Sequence, residues 1–259
     1  MSNNVSSKLQ DQNLIELAKQ NYEKQQRLSK TPGVLVQLPS KGLIYPESSI
    51  LRQGHVEMRH MTAYDEDILT TSSYIKEGIV LDKLLESLLL TPVKLDDISY
   101  TDREAMLISA RIYGYGKMYP VVVTHPETNV QYNREIDLSQ IKFKPFDLQP
   151  DANGEFEYRF PDGVIVKYRF LTSALSKNIS PEKMISQLME SSIMEINGNR
   201  DKNFIADYIK YEMRAIDARN FRTFLNDNIS GLDFNMEFEG EDGSTFTAMF
   251  QYGPDLFWF

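Results

Sequence analysis

The sequence predicts an α+β fold made of two related units, each with a strand leading into a small helical bundle and closed by a β-hairpin. Three observations predict it. Leu81, Leu84, Leu85, Leu88 and Leu89 recur at the spacing of a helix with one broad apolar face. Period-two runs bounded by turn residues close each half of the chain, as in MYPVVV followed by VQYNREIDL. The order of these segments then recurs between the halves. At 259 residues the chain fits one large domain or two smaller ones. The pattern divides it into an N-terminal arm (1–33, partly helical), a first unit (34–141), a linker (142–155) and a second unit with an apolar C-terminal tail (156–259).

In the arm, Leu14, Leu17, Ala18, Tyr22 and Leu28 form a thin apolar stripe on an otherwise polar segment. So thin a stripe rarely holds a helix alone, which leaves a solvated arm or one that orders against a partner. Thr31-Pro32-Gly33 interrupts it. VLVQL and LIY then read as short strands of an edge ribbon around Pro39-Ser40-Lys41-Gly42. Lys41 beside Gly42 lacks the glycine spacing and the following Ser or Thr of a phosphate loop.

Val56, Met58 and His60 alternate with Glu57, Arg59 and Met61 as in a half-buried strand. Thr62 with Asp65 predicts a capping box, and the acids Asp65, Glu66 and Asp67 suit the positive end of a helix. After the leucine helix, which Pro92 should end, Thr101 with Glu104 predicts a second box. Ala105, Ile108 and Ile112 share a face of the helix that follows, and Gly114 and Gly116 stop it. Arg103 in the first turn opposes the helix dipole, so an internal salt bridge is expected there. His125 is read as exposed and inert in a hairpin turn.

The linker KFKPFDLQPDANGE has two prolines, Asn-Gly and little periodicity. Beyond it, FEYRF and VIVKYRFL flank Pro161-Asp162-Gly163, in which Pro fixes φ and Gly accepts a positive one. Ser180-Pro181 predicts a helix start, with Met184, Ile185, Leu188 and Met189 on its apolar face. Residues 201–229 carry more helix, broken near Met213 to Ala215, and LDFNMEFE with STFTAMFQ closes the unit as a hairpin. VEMRHMT aligns with VKYRFLT and TDREAMLISARIYGYG with IDARNFRTFLNDNISG, placing Arg59 opposite Arg169 and Asp102 opposite Asp217.

The net charge of 28 − 37 = −9 disfavours contact with phosphate backbones. Zero cysteines exclude disulfides, thiolate metal sites and a Cys nucleophile. The start lacks the regions of a signal peptide, and Leu84–Leu90 is far shorter than the ~20 apolar residues of a membrane span. A soluble protein without cofactor or metal is expected; His55 and His60, five apart on a strand, face opposite sides.

LPSKGLIYP, GHVEMRHMTAYDE and DREAMLISARIYGYG with the Tyr-Pro-Val-Val-Val run resemble the T4-type bacteriophage baseplate protein family, over roughly Leu38 to Phe143 with a weaker echo beyond. The resemblance implies a non-enzymatic role in the tail baseplate hub. Either an assembly factor in the host cytoplasm or a subunit that stays in the particle is implied. Its partners would be other tail and hub proteins, with a homo-oligomer as a further form. Candidate partner-binding residues are Leu14, Leu17 and Tyr22 of the arm and Leu256, Phe257, Trp258 and Phe259 of the tail. Four large apolar groups at a chain end are unusual. Each gains roughly 2 to 3 kcal/mol on burial, so the tail either packs at home or docks on a partner.

Two other classes have thinner support. A hydrolase using Asp65, Glu66 or Asp67 with His60 has no nucleophile or metal motif beside it. Arg214, Arg219 and Arg222 interleave with Phe221 and Phe224 as nucleic-acid-binding residues can, but core aromatics beside solvated arginines give the same letters.

Overall fold

The computed structural model describes residues 33–172, 184–240, 243–253 and 256–258. Strand β1 (Gly33–Gln37) pairs antiparallel with β2 (His55–Arg59), Val36 opposite Val56. The expected ribbon between VLVQL and LIY does not form. Residues 38–54 instead wind through successive turns, with the Lys41 amide on the Leu38 carbonyl and that of Leu43 on Ser40. Gly42 makes this winding possible: its φ is +78°, and a Cβ there would lie 2.5 Å from the Arg52 carbonyl oxygen.

Four helices follow, α1 (Ala63–Thr70), α2 (Ser72–Glu77), α3 (Val80–Leu88) and α4 (Tyr100–Tyr115). The leucine helix is α3, and it buries Val80, Leu84, Leu85 and Leu88. It ends before Pro92 because Leu89 turns extended to bridge Met58 and the Leu90 amide is taken by the Glu57 carbonyl. Helix α4 starts two residues earlier than Thr101 suggests: Ser99 is its N-cap, its hydroxyl accepting the Asp102 amide. Glu104 is therefore free of capping and accepts the Tyr252 hydroxyl at 2.7 Å. Gly116, at φ +90°, ends the helix, while Gly114 lies inside it.

Strands β3 (Met118–Thr124) and β4 (Gln131–Asp137) form the expected hairpin. His125 is neither exposed nor idle there. Its Nδ1 accepts the amides of Glu127 and Thr128, and its ring lies 4.5 Å from that of Phe246. Next come β5 (Lys142–Phe143), β6 (Phe156–Arg159), β7 (Ile165–Tyr168), α5 (Met184–Ser192) and β8 (Ile193–Ile196); β6, β7 and β8 make one antiparallel sheet. The chain continues through α6 (Lys202–Asp207), a π-helical stretch Tyr208–Glu212 and α7 (Ala215–Asp227), with the expected break at Met213-Arg214. Strand β9 (Leu232–Asp233) pairs with β5, and β10 (Asn235–Glu239) with β11 (Thr245–Met249) closes the second half.

The first half thus runs from the β1–β2 pair through α1 to α4 to the β3–β4 hairpin, and the second from the β6–β7–β8 sheet and its helices to β10–β11. The two hairpins pack inner face to inner face. Tyr132 of β4 lies against Phe246 of β11, and Arg134 donates to the Glu239 carbonyl at 2.7 Å. One contiguous apolar core takes residues from both halves. Phe146, from the segment read as a linker, sits in that core between Phe156 and Phe170. Among the described residues no helix is long and apolar enough to cross a membrane.

Candidate functional site

Two buried polar centres fix the first half, and the quoted motifs supply both. Asp102 is fully buried in the first turn of α4, where the positive helix end favours a carboxylate. The PSKGLIY segment wraps around it: the Ser40 amide donates at 3.0 Å, the Ser40 hydroxyl at 2.7 Å and the Tyr45 hydroxyl at 2.6 Å. The Ser99 amide donates to Tyr45 and the Gly42 amide to Ser40, so the hydroxyls are themselves held. Burial pushes the Asp102 carboxyl above its ordinary range against these donors. Burial, with Asp102 alongside, raises the Tyr45 hydroxyl too.

The second centre joins β2 to α1 and α3. Arg59 grips Asp65 through two bonds of 2.7 Å, with both side chains fully buried. It also donates to Ser87, at 2.6 Å, and to the His60 carbonyl. Asp65 accepts the Thr62 amide at 2.8 Å, so the acid read as a cap is a cap and an ion-pair partner at once. Burial pushes its carboxyl up, but Arg59, the Thr62 amide and Ser87 outweigh burial and leave it below the usual value. Arg103 forms the internal salt bridges expected of it, to Asp82 at 3.0 Å and Asp96 at 3.3 Å, and also donates to the Leu95 carbonyl. In the second half Glu155 holds both Arg169 and Arg200.

Of the residues considered for hydrolysis, Asp65, Glu66 and His60 are engaged elsewhere. Glu66 accepts the Tyr115 hydroxyl, whose pKa is pushed up to about 12, first by burial and then by Glu66 itself. The His60 ring meets Tyr113 edge-on. Among the described residues no three His, Asp or Glu side chains gather to hold a metal ion. Phe221 is fully buried and Phe224 packs on Tyr158 and Tyr168, so the aromatics between the arginines of α7 belong to the core. Arg214 is paired with Asp217.

In the tail, Leu256 and Phe257 are buried and Trp258 is half-buried against the same core. Phe257 meets Tyr115 edge-on at the end of α4. Leu14, Leu17, Tyr22, Phe259 and the Ser180-Pro181 helix start lie outside the described residues. Sequence reasoning missed Ser40, Tyr45 and the burial of Arg59. The one available signal was a Ser, a Gly and a Tyr at fixed spacing in a segment too irregular for strand or helix.

Fold and centres together define an α+β scaffold whose buried charges are committed to clamping its elements. A family model described as T4 bacteriophage base plate protein matches residues 35–239. The chain belongs to that family, and with it goes a structural or assembly role in the phage baseplate. No curated protein and no solved structure matches it.

Proposed function

We propose that the chain is a non-enzymatic component or assembly factor of the baseplate hub and acts by binding other hub proteins. The family match across residues 35–239 carries this reading. Commitment of the buried charges to internal clamps supports it, because among the described residues the buried carboxylates are taken up by internal hydrogen bonds and ion pairs. Partner contact is assigned to the arm, through Leu14, Leu17 and Tyr22, and to the chain end, where Leu256 and Phe257 anchor the tail and Trp258 and Phe259 meet the partner. The division into two related units, a scaffold used twice, belongs to the same proposal.

The test is co-elution of the purified chain with individual hub proteins on size exclusion, repeated with residues 1–32 removed and with Trp258→Ala. Loss of a complex in either variant, with the fold retained, is the expected result. Complexes unaffected by both changes overturn the assignment of those surfaces. Mass spectrometry of purified particles beside infected lysate separates a resident subunit from a transient factor.

A further inference from the structure

Strand β1 is an edge: among the described residues it pairs with β2 and with no other strand. Which of its backbone groups are left over follows from the register. The Leu38 amide bonds to the Gly54 carbonyl, so the alternation of an antiparallel pair makes Val36–Val56 and Val34–Met58 the bonded pairs. Gly33, Leu35 and Gln37 then turn their amides and carbonyls away from β2. Glu57, opposite Leu35, has the same parity: its amide donates to the Thr91 hydroxyl and its carbonyl accepts the Leu90 amide, both on the side away from β1. Among the described residues nothing bonds to the outward groups of Leu35.

Open sheet edges are ordinarily blunted by charge, proline or a bulge. This one, GVLVQ, has no charged residue and no proline, and its register runs without a shift. On its solvent face stand Gly33, Leu35 and Gln37, all exposed, Leu35 by 61%. The Glu57 side chain lies over Gly33, with a carboxylate oxygen 2.5 Å from where a Cβ would be. Among the described residues that carboxylate is in no hydrogen bond or ion pair.

We propose that β1 pairs antiparallel with β1 of a second copy, about a twofold axis at Leu35. Leu35 is the middle of the five residues, so it meets its own counterpart, while Gly33 of each copy faces Gln37 of the other. Each outward amide then finds a carbonyl, and the two ribbons become one four-stranded sheet, β2–β1–β1–β2. The occupant is a second copy because the edge is complementary to itself. Leu35 packs on Leu35 at the centre, since residues directly opposite share a face. At each end the Gln37 side-chain amide of one copy comes down beside Gly33 of the other, next to the Glu57 carboxylate that lies there without a donor. Such a contact is isologous and closes at two copies. A pairing one strand long buries less than a permanent interface does, so it depends on protein concentration. This inference does not rest on the hub reading: a chain that binds hub proteins can do so as monomer or dimer.

Sedimentation velocity of the full chain over rising concentration tests it. The wild type should pass from monomer to dimer and no further. Leu35→Lys and Leu35→Glu should each stay monomeric, because like charges then face one another across the axis, and an equimolar mixture of the two should pair again. Only a contact in which position 35 meets position 35 gives that rescue. Gln37→Glu should weaken pairing roughly tenfold or more by setting two carboxylates together at each end, whereas Gln37→Lys should not weaken it. Circular dichroism checks that the variants remain folded, as exposed positions should allow. A wild-type chain that stays monomeric at every concentration, as it would if this edge takes a strand of another protein, overturns the proposal. So does a dimer unmoved by charge at position 35, or a mixture that does not pair.

Discussion

The decisive residues are charged or hydroxylic and buried. Removing one partner of a buried, hydrogen-bonded ion pair strands the other, at about 3 to 5 kcal/mol. Asp65→Asn should therefore lower stability by about that much in urea unfolding at pH 7. The Asp65 carboxyl titrates below its unfolded-chain value of about 3.9. Its contribution is thus complete above the unfolded value and is lost as pH falls through the lower folded one. The gap between wild type and Asp65→Asn should narrow when the measurement is repeated near pH 3. An unchanged gap would mean that the charge itself contributes nothing. Tyr45→Phe removes the donor to Asp102 and the acceptor of the Ser99 amide, and should cost about 1 to 3 kcal/mol in the same assay.

At the scale of elements, what could be read from sequence was local. The leucine spacing located α3, and Leu85→Ala there should cost about 2 to 5 kcal/mol; an unchanged thermal midpoint would contradict its place in the core. Pro161-Asp162-Gly163 located the β6–β7 turn because φ preferences act within a few residues. Neither signal reaches across the chain. Ser40 and Asp102 are 62 residues apart, and nothing periodic in either segment announces the other. For the same reason LIY was expected as a strand: its apolar letters suit one, but its Tyr hydroxyl is drawn to a distant carboxylate. The start of α4 was misplaced because Thr101-x-x-Glu104 and Ser99-x-x-Asp102 are both credible caps, and only the packing around Asp102 selects between them.

On the scale of the whole molecule, one core draws on both halves, so the chain should unfold as one unit. The single tryptophan, Trp258, makes this measurable: its fluorescence and the far-UV circular dichroism should change at the same denaturant concentration. Two separated transitions would show halves that melt independently. Two buried side chains at about 1.5 to 3 kcal/mol each make the tail a stabilising element, so deleting residues 256–259 should lower stability by about 3 to 6 kcal/mol.

The position of that tail also bears on synthesis. Helix α4 receives the Tyr252 hydroxyl on Glu104 and the Phe257 ring on Tyr115, so its surroundings are completed by residues made long after it. A nascent chain forms its amino-terminal elements first, so α4 waits with one side open until Tyr252 and Phe257 have been made. A chain stopped before Tyr252 would have nearly every element described above and an open seam along α4, which proteases of the infected cell could recognise before it entered a baseplate.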